Sequence, residues 1–196
     1  ADGNFWGQSL GGNPLYSEFL ETYYESTLGV VFEYNPTTGA METLEQMDGM
    51  TTGIFPSGTL VQSSVNQLFY GVTMGGPAAI EFFPEPVIHN GTLFTVQAGQ
   101  SINAIHTFEL ENENQGSIPV GGLVEAANGN LYGLTSQGGA FDAGVLYEYN
   151  PSSSMLTTKI NLAAVLTGSA PLSPMMRTCD GKLFGMTSEG GEYGYG

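Results

Sequence analysis

Few residue types in this chain can do chemistry, and their spacing decides what that chemistry could be. The histidines are His89 and His106. With Glu81, Glu85 and Glu109 they offer the nitrogen and oxygen donors a transition metal takes, although separate loop and strand histidines describe them more simply. Glu109, Glu111 and Glu113, interleaved with Asn112 and Asn114, form the densest acidic run. Ca²⁺ accepts such oxygens, but no D-x-[DN]-x-[DN]-G loop occurs, and alternating acids also mark a solvated strand face. Asp2 and Asp180 precede glycine and read as turn formers. No serine has a histidine partner at a fixed repeat position, so acyl transfer has little support in the sequence. No metal or cofactor is therefore expected, calcium being the one ion the composition invites.

Three further groups bear on modification and binding. Cys179 is the lone cysteine, which excludes an internal disulfide; burial as a small hydrophobe is expected. Asn90-Gly91-Thr92 is an N-x-[ST] triplet without an intervening proline, placed on an apparent hairpin turn, and makes Asn90 the candidate glycosylation site. Thr73, Thr135 and Thr187, with Ser9, recur at one motif position, as do Trp6, Tyr70, Tyr132 and Phe184. Hydroxyls and rings repeated in this way could face a polar ligand or a sugar. As structural groups they would satisfy backbone atoms and pack successive units together.

The recurrence itself is the strongest signal. Asn128-Gly129-Asn130-Leu131-Tyr132-Gly133-Leu134-Thr135-Ser136-Gln137-Gly138-Gly139 returns as Asp180-Gly181-Lys182-Leu183-Phe184-Gly185-Met186-Thr187-Ser188-Glu189-Gly190-Gly191. Looser copies bring in Gly7, Gly11 and Gly12, then Gly71, Gly75 and Gly76. A second element reads Leu28-Gly29-Val30-Val31-Phe32-Glu33-Tyr34-Asn35-Pro36 and Ala143-Gly144-Val145-Leu146-Tyr147-Glu148-Tyr149-Asn150-Pro151, with Asn90 to Val96 a weaker relative. A third, proline-led element precedes each Asn/Asp-Gly turn, at 55–61, 118–124 and 170–176. Together with a closing strand such as Met155 to Leu162, these predict about four short antiparallel strands per repeat. The fold class expected is all-β, a propeller-like array with repeats at 1–65, 66–127 and 128–179 and a partial one at 180–196.

The run G-x-L-Y/F-G-x-T-S-x-G-G followed by G-V-L-Y-E-Y-N-P resembles the Gloeobacter/Verrucomicrobia tandem repeat of bacterial surface proteins, and more distantly kelch. That resemblance implies a secreted or cell-surface protein and carries no assigned catalytic residues.

Composition agrees with this class. The chain has 196 residues, 19 Asp+Glu against 3 Lys+Arg and a net charge of −16, which excludes nucleic acid as a natural partner. No run approaches a membrane helix. Its 29 glycines, 10 tyrosines and 11 phenylalanines suit short strands and turns. Inserts at 13–28 and 77–90 are the least repetitive segments, and the first gathers Tyr16, Phe19, Tyr23 and Tyr24 among Glu18, Glu21 and Glu25. The repeat count is ragged, because Gly196 stands to Gly190-Gly191 as Gly144 stands to Gly138-Gly139. Either the chain belongs to a longer array or subunits complete one another head to tail, closing a ring or growing a filament. The expected role is a non-catalytic extracellular structural or adhesive protein, self-associating through open repeat ends. The alternative is a propeller that binds or processes carbohydrate, with surface glycans as partners.

Overall fold

The computed structural model describes residues 3–9, 16–17, 22–23, 28–49, 51–76, 90–109 and 115–196. Every regular element among them is a strand. The first group comprises β1 (Phe5–Ser9), β2 (Tyr16–Ser17), β3 (Thr22–Tyr23), β4 (Val30–Tyr34) and β5 (Met41–Gln46). β6 (Ile54–Gln62), β7 (Phe69–Gly75), β8 (Asn90–Val96) and β9 (Asn103–Thr107) follow. Then come β10 (Ser117–Glu125), β11 (Leu131–Gln137), β12 (Val145–Asn150) and β13 (Met155–Asn161), and last β14 (Met176–Arg177) and β15 (Leu183–Phe184).

These strands form blades. β6 to β9 make one antiparallel meander, blade II, and β10 to β13 make blade III. The two join through their first strands, which run parallel and pair at Thr59 and Gly122. Blade I is the sheet β1-β4-β5, and blade IV begins with the β14-β15 hairpin. Each complete blade starts at its proline-led strand, so the sheets are phased one strand earlier than the aromatic-glycine repeat.

Side-chain alternation turns each blade into a two-faced sheet. One face of blade II sends Phe94, Val96 and Ile102 against Val31 and Met47 of blade I. Its other face sends Tyr70, Val72, Leu93 and Phe108 against Leu123, Leu131, Val145, Tyr147 and Tyr149 of blade III. Leu134, Ala143 and Leu162 continue the series toward Met175 of blade IV. The hydrophobic core is thus a succession of joints between neighbouring sheets, the way a propeller buries apolar area.

The motif residues explain this packing. Gly7, Gly71 and Gly133 lie directly opposite Phe32, Phe94 and Tyr147 on the next strand. In each case the ring occupies the space a Cβ on the glycine would fill. Asn35 and Asn150 close the third-strand turns identically, each side-chain oxygen accepting two backbone N–H groups, from Thr37 and Thr38 or from Ser152 and Ser153, at 2.8–3.1 Å. The Ala126–Asn130 hairpin has a three-residue loop with Gly129 at φ 78°, and Thr178–Lys182 repeats it with Gly181 at φ 87°. In blade II the loop is one residue longer, and Gln67 takes the left-handed position at φ 64°.

Two expectations are corrected here. Cys179 is exposed, because it sits at the tip of that last hairpin rather than in a core. Asn90 does not lie on a hairpin turn: it opens β8 and pairs with Gly75.

Candidate functional site

Of the recurrent hydroxyls, Thr73 and Thr135 are fully buried and used by the backbone, whereas Thr187 is half-buried and Ser9 exposed. Thr73 Oγ1 accepts the N–H of Thr92 at 2.9 Å, meets the Thr92 hydroxyl at 2.7 Å and lies 2.9 Å from the Gly75 carbonyl. Thr135 Oγ1 accepts the N–H of Val145 at 2.9 Å and donates to the Gln137 carbonyl at 3.2 Å. Each hydroxyl therefore ties the second strand of a blade to the start of the third, beside the double glycine. Thr92, the third residue of the Asn90 triplet, is also fully buried and donates to the Thr52 carbonyl at 2.9 Å.

The recurrent aromatics divide by their surroundings. Trp6 stacks on Phe69 at 4.2 Å across the joint between blades I and II. Tyr70 packs at 5.8 Å against Tyr149 of blade III and accepts a hydrogen bond from Asn66 at 2.8 Å. Tyr132 donates to Glu148, whose other oxygen receives Lys159 Nζ at 3.1 Å. The Tyr132 hydroxyl and Lys159 together hold the Glu148 carboxyl below the usual carboxylate range. Phe184 is 53% exposed.

The titratable candidates do not converge. His106 is half-buried in β9, its ring edge-on to Phe108 at 5.0 Å. Burial lowers its pKa, against the opposing pull of Glu109 and Gln115. Asp2, Glu81, Glu85, His89, Glu111, Asn112, Glu113 and Asn114 lie outside the described residues, as do Gly11 and Gly12 and most of both inserts. Of the first insert, β2 and β3 form a short hairpin pairing Tyr16 with Tyr23. Among the described residues no three His, Cys, Asp or Glu side chains gather as a metal site. Asp180 is an exposed turn former: the Thr178 hydroxyl, then Lys182, draw its carboxyl below the ordinary value.

Geometry along the axial strands is more informative, and sequence reasoning missed part of it. Phe55, Ile118 and Ala170 hold the same left-handed backbone, φ 58°, 56° and 50°, each immediately before a proline. Residues before proline favour extended conformations, and a β-branched side chain at positive φ is strained. The recurrence of the strain in successive blades marks it as part of the joint. A Gly-x-x-Pro spacing at Gly53, Gly116 and Gly168 is the signal that could have found it. Two of those prolines seat on the preceding blade, Pro56 over Gly29 and Pro119 over Gly91, each filling the space of an absent Cβ.

Two residues farther on, Gly58 backs onto the Gly121–Gly122 peptide and Gly121 onto the Ser173–Pro174 peptide, closer than any Cβ would allow. The blades are therefore stacked backbone on backbone at their inner edge. Polar links reinforce the same joints. Gln8 donates to the Ser57 carbonyl at 2.8 Å, Glu125 accepts the Ser64 N–H at 2.8 Å, and Arg177 donates to the Glu125 carbonyl at 2.9 Å.

On the first and last blades several apolar positions are exposed. Phe5, Tyr34 and Met41 lie side by side across blade I, exposed. Leu172, Phe184 and Met186 are exposed on blade IV.

Comparison with curated proteins returns no match. The model of the Gloeobacter/Verrucomicrobia repeat matches residues 1–196, so the whole chain, blades and connectors alike, belongs to that repeat family.

Proposed function

We propose that this chain is a non-catalytic scaffold of the bacterial cell exterior, with a structural or adhesive role, whose repeats hold a surface in place rather than turn over a substrate. The observation that carries this reading is the use made of the recurrent residues. Motif glycines and threonine hydroxyls hold the strands of each blade together and prolines seat one blade on the next, leaving variation to the inserts and connectors, where binding specificity commonly resides. The acidic, base-poor surface supports an exterior role, since a net charge of −16 resists nonspecific association with polyanions.

Two measurements test it. Fractionation of the native host with protease shaving of intact cells should find the polypeptide outside the cytoplasm; recovery in the cytosol alone overturns the localisation. A glycan array with polysaccharide turnover assays separates a structural protein from a carbohydrate enzyme. Reproducible hydrolysis lost on changing one Asp or Glu would sink the non-catalytic reading.

A further inference from the structure

Asn-Gly occurs twice in the chain, at Asn90-Gly91 and Asn128-Gly129, and the fold treats the two dipeptides in opposite ways. Glycine after asparagine leaves the side-chain amide open to attack by the following backbone nitrogen, because no Cβ hinders the approach. What the reaction then requires is freedom of the peptide between the two residues. Gly91 is buried in β8, wedged between the Thr73 carbonyl and Pro119, and its own carbonyl accepts the Phe108 N–H at 2.9 Å. Asn90 is held as well, paired with Gly75. That peptide turns only if blade II opens.

Asn128 is exposed, at the tip of the Ala126–Asn130 hairpin. The Gly129 N–H makes a turn hydrogen bond to the Ala126 carbonyl at 3.0 Å, and Gly129 sits at φ 78°. The Asn130 N–H donates to Asn128 Oδ1 at 3.1 Å, where it stabilises negative charge forming on that oxygen as the side-chain carbon is attacked. Loop tips of this kind open at small cost, whereas core strands open only with the unit that holds them.

Blade IV shows what the acid product would lack. At the equivalent tip Asp180 precedes Gly181, and its carboxylate is met by the Thr178 hydroxyl and by Lys182 Nζ at 2.9 Å. Blade III has Ala126 and Asn130 in those places, so an acid at 128 gains neither partner. It would face instead the Tyr132 hydroxyl, which Asn128 meets as a donor and which is committed to Glu148.

We propose that Asn128 is a site of spontaneous deamidation in the folded protein, and that the conversion weakens its hairpin by placing an unpartnered acid beside Tyr132 and Glu148. The Gly129 nitrogen bonds to the Asn128 side-chain carbon, the C–NH2 bond breaks, and ammonia leaves with the proton shed by the Gly129 amide. Water then opens the resulting succinimide at one carbonyl or the other, giving aspartate or isoaspartate and adding one negative charge to the −16 of the chain. This goes beyond the scaffold reading and does not depend on it.

The test is incubation of the 196-residue chain in mildly alkaline buffer, folded and in parallel in urea, until both dipeptides convert in urea. Peptide mapping by mass spectrometry then separates asparagine, aspartate and isoaspartate at both positions. In the folded chain, conversion at Asn128 should outrun that at Asn90 by about tenfold or more, because the strand must open before it can react. Asn128→Asp should melt earlier than the unaltered chain. A folded chain that keeps Asn128 intact, or one that converts Asn90 as fast as Asn128, would overturn the assignment of the site. An unchanged melt for Asn128→Asp would overturn the weakening of the hairpin.

Discussion

Blades III and IV contain the two copies of the motif that match most closely in sequence, yet they occupy opposite environments. Leu134 is 7% exposed and its counterpart Met186 is 70% exposed. Nothing in the local strand accounts for the difference. Leu134 faces Ala143, Leu162 and Met175, whereas no described residue covers Met186 in that way. The repeat thus encodes a surface, and the neighbouring blade decides whether that surface becomes core.

The inner strands give the largest lever on this comparison. Blade III has Gly121, at φ 74° and backed onto the Ser173–Pro174 peptide; blade IV has Ser173 at the equivalent place, without a left-handed backbone. Gly121→Ser, which installs the residue blade IV already carries, should cost about 2–5 kcal/mol from left-handed strain plus forced separation of two backbones. Ser173→Gly should change stability by less than about 1 kcal/mol. Urea unfolding of both variants checks the pair, and equal losses would mean that the axial stack does not depend on a bare backbone.

Truncating the matched apolar positions comes next. Leu134→Ala should lose about 2–4 kcal/mol, the usual toll of a core cavity, and Met186→Ala about 0.5 kcal/mol or less. Thermal melts at low protein concentration keep association from masking the second value. A large loss at Met186 would show that its face is covered in the isolated chain.

Much of the scaffold was legible because its signals are local. Asn-Pro turns, Asn/Asp-Gly hairpins and the alternation of Val145, Tyr147 and Tyr149 are each decided within a few residues. The threonine hydroxyls were legible too, since a hydroxyl beside two glycines has backbone groups within reach. Nonlocal features were not. Ile118 at positive φ before a proline contradicts its intrinsic preference, and only the fit of Pro119 over Gly91 makes sense of it. Cys179 was misread because burial statistics for cysteine ignore a hairpin tip. Asn90-Gly91 was misread as a turn because the dipeptide favours one, while pairing with β7 overrides it. The candidate metal and calcium residues were mostly charges near inserts, where no repeat constrains spacing.

A third contrast concerns the ring over the motif glycine. Blades I and II use Phe32 and Phe94, whereas blade III uses Tyr147, fully buried, with a hydroxyl that finds no partner among the described residues. Burial pushes that hydroxyl far above its ordinary pKa, so it stays neutral and unsatisfied. Tyr147→Phe should therefore be neutral or stabilise by up to about 1 kcal/mol, against the usual sign for a buried substitution. A loss beyond about 1 kcal/mol would reveal a bound water or another partner for the oxygen.

The connectors sharpen the comparison at its finest scale. Between blades I and II, the N–H of Asp48 donates to Thr52 Oγ1 at 3.0 Å; between III and IV, the N–H of Ala163 donates to Thr167 Oγ1 at 2.7 Å. The loops share this frame, but only the first adds a carboxylate, which accepts the N–H groups of Thr51 and Thr52 at 2.8 and 3.0 Å and both their hydroxyls. Burial works against the Asp48 charge, yet these hydrogen bonds outweigh it and hold the carboxyl well below the usual carboxylate range. Because the folded carboxyl is the stronger acid, the unfolded chain takes up the proton first as pH falls. The contribution is complete above the unfolded value near pH ~4 and is lost progressively below it. Asp48 is exposed, so solvent screening keeps this contribution modest. Denaturant midpoints between pH ~6 and ~3, a window spanning that unfolded value, should fall less steeply for Asp48→Ala than for the unaltered chain. Ala163→Asp should steepen the fall if the second loop can adopt the same cap. Identical slopes for Asp48→Ala and the unaltered chain would assign the acid sensitivity to other carboxylates and leave Asp48 a turn former without electrostatic weight.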